Sequence, residues 1–166
     1  IPFLPNAQCP RWKLFVNEIF DDPKRTDEQV AQLCNFLQRA VGYSLTASTE
    51  EQCFFLLHGT GMNGKSVLLN TLTKLLGQYA HNADFTSFLA DPFRNGNQPT
   101  PDIAAFEHKR FIAARETDEG TKFAAAKLKA LTGSDVITAR QLYAKVHNFY
   151  PHFKLWLAVN HLPTIK

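Results

Sequence analysis

Cys53-Phe54-Phe55-Leu56-Leu57, His58 and then Gly59-Thr60-Gly61-Met62-Asn63-Gly64-Lys65-Ser66 form the stretch on which the fold turns. The unbroken apolar run predicts a strand buried on both faces of a parallel sheet. The eight residues after His58 fit G-x-x-x-x-G-K-[ST]. Val67, Leu68, Leu69, Leu72, Leu75 and Leu76 then carry a helical stripe that Gly77 stops. Strand, glycine loop and helix therefore follow in the order a phosphate-binding loop requires. Glycines let the backbone curl so that successive N–H groups face a polyphosphate, and the helix N-terminus adds partial positive charge. Residues Gly59 to Val67 are the candidate binding segment, with Lys65 for the β- and γ-phosphates and the Ser66 hydroxyl for magnesium.

Such a loop needs a second acid at the end of another buried strand, to hold the metal and polarise water. Phe111-Ile112-Ala113-Ala114-Arg115-Glu116 offers one, followed by Thr117, Asp118 and Glu119. Glu116 is the favoured carboxylate, Asp118 is the reserve metal ligand, and Glu119 reads as part of a solvated turn with Gly120. Arg115 interrupts the strand one residue before the acid, so it must point to a partner or a neighbouring subunit. A third apolar strand, Leu155 to Val159, ends in Asn160, whose amide can both donate to and accept from an attacking water.

Working outward, residues 10–20 read as an amphipathic helix broken by Asp21-Asp22-Pro23. Thr26-x-x-Gln29 resembles a capping box, and Val30, Leu33, Cys34, Leu37 and Val41 predict a second helix ending near Gly42. This predicts an organisation of a helical segment, 1–47, and an α/β core, 48–166, joined by a linker from Ser44 to Glu51. The 166 residues, 45% hydrophobic and 20% charged, exclude a disordered, collagenous or coiled-coil chain. No apolar run approaches the roughly 18 residues of a membrane span, so the sequence predicts a soluble protein with no membrane partner. Three cysteines without a C-x-x-C pair suit a reducing compartment. The abrupt start at Ile1 reads as an internal piece of a longer polypeptide.

The net charge of +3 conceals an asymmetry. Residues 1–119 carry 11 Lys and Arg against 14 Asp and Glu, whereas residues 120–166 carry 7 against Asp135 alone. The basic final third is either a solvated face or a footprint for nucleic acid. Val136 to Ala139 and Phe149 to Phe153 are β-rich and flank a polar turn around Ala144 to His147, which predicts a hairpin with Lys145 at its tip. Tyr143, Phe149 and Tyr150 could stack on bases or pack across the strands.

Four segments together resemble the phage and plasmid primase-helicase family of the superfamily 3 helicases, which have an AAA+ type core. They are Gly59 to Ser66, Arg110-x5-Glu116 through Gly120, Leu128 to Arg140, and Phe153 to Pro163. The resemblance implies a P-loop NTPase fold with ATP and Mg2+ as cofactors. It makes Lys65 and Ser66 the Walker A pair, Glu116 the Walker B acid and Asn160 the sensor. Lys129, Asp135 and Arg140 fall in a motif whose hairpin would project into a central pore, with Lys129, Arg140, Lys145 and His147 as candidate contacts to single-stranded DNA. Also implied are a homo-oligomer, a hexameric ring to which the 1–47 segment contributes as a collar, a primase domain on the same longer polypeptide, and the cytoplasm of a bacterial host. The family's arginine finger follows the sensor asparagine, so it would lie past Lys166 unless Arg110, Arg115 or Arg140 takes that role. A phosphate-loop small-molecule kinase would need an arginine-rich lid, and no Arg cluster is present. A third reading is a DNA-binding scaffold that ATP only orders.

Overall fold

The computed structural model describes residues 4, 6–90, 99–116 and 122–165. The chain divides into two compact units, Ile1–Gly42 and Tyr43–Lys166. The first contains helix α1, Pro10–Phe20, which opens with Pro at its first turn, where the missing N–H costs nothing. Helix α2, Asp27–Leu45, begins at the expected capping box: Thr26 N–H donates to Gln29 Oε1 at 3.0 Å, and Gln29 N–H to Thr26 Oγ1 at 3.3 Å. It runs three residues beyond Gly42, where the sequence placed its end. The reason lies in the second unit. Ser44 is buried and its Oγ accepts from the Trp156 indole at 3.0 Å, a contact that holds the last turn helical.

The second unit follows in chain order as β1 (Phe55–His58), α3 (Lys65–Leu76), β2 (Ala80–Asn82), α4 (Pro101–Ala104), β3 (Phe111–Arg115), β4 (Lys122–Phe123), α5 (Ala125–Thr132), β5 (Ile137–Ala139), β6 (His147–Phe149), β7 (Lys154–Val159) and β8 (Thr164–Ile165). Four strands make one parallel sheet in the order β1-β7-β3-β2, so the expected α/β architecture, a parallel sheet flanked by helices, is met. Strands β4 and β8 form a small parallel pair, and β5 with β6 the antiparallel hairpin.

Alternation along β3 and β7 separates two faces. Ile112, Ala114, Leu155, Leu157 and Val159 join Leu128 and Leu131 of α5, Phe106 and Phe123 in one apolar core. Phe111, Ala113 and Trp156 point the other way; Trp156 sits 4.4 Å from the Phe55 ring and 5.4 Å from Phe111 between centroids. Chain path fixes the helices accordingly. The α3 crossover runs from β1 to β2 and the α5 crossover returns from β3 to β7, so right-handed connections place them on opposite faces.

Two expectations need correction. Strand β1 is not buried on both faces: it is the edge of the sheet, and Leu56 is 36% exposed. An edge strand has a neighbour on one side alone, so an apolar sequence does not guarantee cover. In the hairpin, His147 is part of strand β6 opposite Ala139 rather than of the turn, and the strand ends at Phe149. Pro151 cannot donate to a ladder, and Tyr150 to Phe153 instead feed the chain into β7.

Lys154 is 2% exposed at the start of β7. Its ammonium donates to the Thr46 carbonyl at 2.9 Å and lies 4.2 Å from the Tyr43 ring centre. Burial first, then the positive charge of Arg110, lowers its pKa to about 8. The charged form is thus penalised in the folded state relative to the unfolded chain. That penalty is present in full below pH 8 and disappears as pH rises towards the unfolded value near 10.4. Relative to Lys154→Met, the wild-type chain should therefore gain up to about 3 kcal/mol of unfolding free energy between about pH 8 and about pH 10.4, read by urea titration.

Candidate functional site at the sheet's C-terminal edge

The glycine loop lies where β1 ends and α3 begins. Gly59 N–H donates to the Val159 carbonyl at 3.3 Å, which ties the loop's first residue to the neighbouring strand. Gly64 adopts φ 79°, a left-handed conformation that glycine takes without a steric cost, and turns the chain into the helix. No side chain caps α3, and its first intrahelical bond is Leu68 N–H to Gly64 O at 2.9 Å. The amides of Lys65, Ser66 and Val67 thus have no intrahelical acceptor and are the donors that a helix N-terminus offers an anion.

Lys65 is folded into this loop. Its ammonium donates to the Gly59 carbonyl and to Asn63 Oδ1, the latter at 2.9 Å. Partial burial lowers its pKa from the usual ammonium value. A Cβ at Gly59 would lie 2.1 Å from Asn63 Nδ2, so the Asn63 side chain can close over the loop because residue 59 is glycine. The loop thus brings the free α3 amides and the Lys65 ammonium together.

Glu116 follows the last residue of β3. Its backbone N–H donates to the Ala158 carbonyl at 2.8 Å, extending the ladder by one residue. Its carboxylate oxygen Oε2 accepts from the Asn160 N–H at 2.8 Å and the His161 N–H at 3.3 Å. His58 pairs with Val159 and Arg115 with Ala158, so Gly59, Asn160 and Glu116 stand side by side at the C-terminal ends of β1, β7 and β3. With strands about 4.8 Å apart, the loop and the carboxylate are about 10 Å apart with Asn160 between them. Among the described residues, the Asn160 side-chain amide makes no hydrogen bond and is exposed. Thr117, Asp118, Glu119 and Gly120 lie outside the described residues.

Arg115 finds a partner within the chain. Its Nη2 donates to Asn70 Oδ1 of α3 at 2.5 Å, while its buried Nε has no acceptor. The sequence alone could not pair residues 45 positions apart.

The proposed DNA contacts are not near this edge. Chain α5 leads back to the N-terminal ends of the strands, and the hairpin stands there: Arg140 N–H donates to Thr100 Oγ1 at 3.0 Å, and His147 Nε2 lies 3.3 Å from Glu107 Oε2. That imidazole also stacks on Phe149, at 5.9 Å between centroids. Phe149 is core, 7% exposed, whereas Tyr143 with φ 59° projects fully from the turn beside exposed Lys145. Lys129 is exposed on α5. Lys127 is 3.7 Å from Asp102 Oδ2.

A family described as of unknown function (DUF5906) matches residues 57–166. The chain belongs to it. A 122-residue stretch of this member is 34% identical to "Putative helicase L207/L206" of Acanthamoeba polyphaga mimivirus, covering 74% of the chain and 13% of that protein. Over 135 residues it is 28% identical to "Putative helicase 022R" of Frog virus 3, covering 79% and 14%. The chain thus spans about one seventh of these relatives. In fold it is similar to the apo A form of the NrS-1 C-terminal region, with TM-score 0.66 at 13% identity, over 97% of the chain and 35% of that structure. No helix among the described residues is long and apolar enough to cross a membrane.

The Arg115–Asn70 contact spans β3 and α3 beside the glycine loop and should couple them. A double-mutant cycle with Arg115→Met and Asn70→Ala should give about 1 kcal/mol of interaction energy in thermal unfolding, and additive single effects would show the contact contributes nothing.

Proposed function

We propose that this DUF5906 member is the ATPase segment of a DNA helicase of the superfamily 3 type. What carries the reading is the strand order. With β7 between β1 and β3, Asn160 lies between a phosphate-type loop and the one described carboxylate that ends a central strand. The viral relatives named helicases support the same class.

In this reading ATP lies along the loop, with its phosphates against the α3 amides and the Lys65 ammonium, which exchanges the Gly59 carbonyl and Asn63 for phosphate oxygens. Magnesium would supply charge neutralisation at the β- and γ-oxygens, held by the Ser66 hydroxyl and by Glu116 with Asp118. The Glu116 carboxylate polarises the attacking water and takes its proton, and the Asn160 amide orients that water as donor and acceptor. The backbone amides of Asn160 and His161 hold Glu116 Oε2 in place. Coupling to single-stranded DNA would run through Lys145 at the hairpin tip, with Lys129, Arg140 and His147 behind it, in a ring of identical subunits, six by the family's pattern. A primase domain on the same polypeptide belongs to this proposal.

The test is ATP binding and turnover measured with and without oligothymidylate. Lys65→Ala should abolish ATP binding while shifting stability by no more than about 1 kcal/mol, because its hydrogen bonds are to loop oxygens of Gly59 and Asn63. Glu116→Gln should bind ATP normally but hydrolyse it at least about a hundredfold more slowly. DNA should stimulate wild-type turnover, and Lys145→Ala should blunt that stimulation. Wild-type turnover in Lys65→Ala would overturn the site assignment, DNA binding with no nucleotide binding at all would overturn the ATPase reading, and ATP binding without turnover in the wild type would favour the scaffold that ATP only orders.

A further inference from the structure

We propose that the N-terminal edge of the parallel sheet carries a second phosphate-binding site, built on the Arg110 guanidinium with His108 and His152 beside it, which takes a backbone phosphate of single-stranded DNA. This rests on the DNA reading above, and it adds residues that neither the hairpin nor the glycine loop includes.

Arg110 is fixed in place by backbone on both sides. Its N–H donates to the Tyr79 carbonyl at 2.8 Å, and its own carbonyl accepts from the Lys154 N–H at 2.9 Å. Phe111 pairs with Lys154, so Arg110 and His152 come to the edge on adjacent strand entrances, with His108 two residues before Arg110 in a turn where it takes φ 62°. The guanidinium is half-buried. Its one hydrogen bond among the described residues is a long one, Nη1 to the Lys109 carbonyl at 3.4 Å, and no described carboxylate lies within ion-pair distance. A planar group with five donors is thereby presented with most of them unused, in the geometry that suits bidentate recognition of phosphate.

Most of the ionisable groups around Arg110 are basic. The His152 imidazole is held below its ordinary pKa by partial burial and by the charges of Arg110, His108 and Lys154. Behind them lies the buried Lys154 ammonium. The one described carboxylate nearby, Glu107, faces the histidines and not Arg110: Oε1 is 3.7 Å from His108 and Oε2 3.3 Å from His147. The Arg110 guanidinium is thus left without a carboxylate, and the imidazoles of His108 and His152 beside it can add N–H donors, an arrangement that suits a phosphate.

Position decides the occupant. Glu107 touches both His108 of this cluster and His147, which pairs with Ala139 at the turn end of the hairpin ladder, so the Arg110 site is continuous with the hairpin whose tip carries Lys145. A strand of DNA lying along that edge would meet both Lys145 and Arg110 with its phosphates. An acidic segment of a second copy of the chain is the competing occupant, and it predicts a different outcome.

Binding of a fluorescein-labelled oligothymidylate to the 166-residue chain should be followed by anisotropy from about 0.05 to about 0.3 M NaCl, with thermal melts to verify folding. Arg110→Gln should bind about fivefold more weakly at about 0.1 M salt and lose about 0.7 from the slope of log K against log salt, one phosphate contact's worth. Arg110→Lys should keep the slope and lose part of the affinity, because an ammonium keeps the charge but not the fork. His152→Ala should weaken binding with little change in slope, and it stands in if the Arg110 variants melt early. If wild type binds and Lys145→Ala weakens it while Arg110→Gln and His152→Ala match wild type, the second site is wrong and the DNA reading stands. Absence of wild-type binding sinks both. If Arg110→Gln alters self-association in sedimentation and leaves the DNA salt slope intact, the occupant is another copy of the chain and the proposal fails.

Discussion

Everything at the candidate site depends on strand β7 lying between β1 and β3 with all six of its residues buried. Parallel pairing on both sides leaves its backbone no freedom, and interleaved side chains seal its two faces against different helices. The ladder then sets where three chain segments, 59, 116 and 160, emerge from the sheet. None of them is near another in sequence. A one-residue slip of β7 would exchange its two buried faces, turning Lys154 into the apolar core and taking it from Thr46 and Trp156 from Ser44, so the register that aligns the site is enforced by packing rather than by the site itself.

The two ends of this sheet have opposite characters. At the C-terminal edge the charges are internally matched: Lys65 bonds to loop oxygens, Glu116 to two backbone amides and Arg115 to Asn70. Partners of this kind are weak enough to be exchanged for a ligand's phosphates, yet they keep the side chains in place without one. At the N-terminal edge positive groups accumulate with little to balance them, and the fold tolerates this because Arg110 is held by its backbone and Lys154 by Thr46 and Tyr43. The basic excess of the final third of the chain is therefore not spread evenly over a solvated face. Part of it is consumed in pairs such as Lys127–Asp102, part is buried as Lys154, and the exposed described lysines, Lys122, Lys129 and Lys145, lie on β4, α5 and the hairpin.

The glycine loop, the helix after it, the capping box of α2 and the apolar strands were legible in the sequence, because each is set by local chemistry: glycine conformations, side chains that cap their own helix, and runs of residues that must leave water. The location of Glu116 at a strand end was legible for the same reason. Edge or centre was not, since Leu56 and Leu157 look alike in a sequence and differ only in whether a neighbour covers them. Nor could aromatic residues of the hairpin be sorted, because Phe149 and Tyr143 differ in what the rest of the chain places against them. The insertion of β7 between β1 and β3, the pairing of Arg115 with Asn70 and the meeting of Arg110 with His152 were decided by tertiary structure alone, since strand order is a balance of crossover handedness and burial over the whole domain and leaves no mark on any one segment.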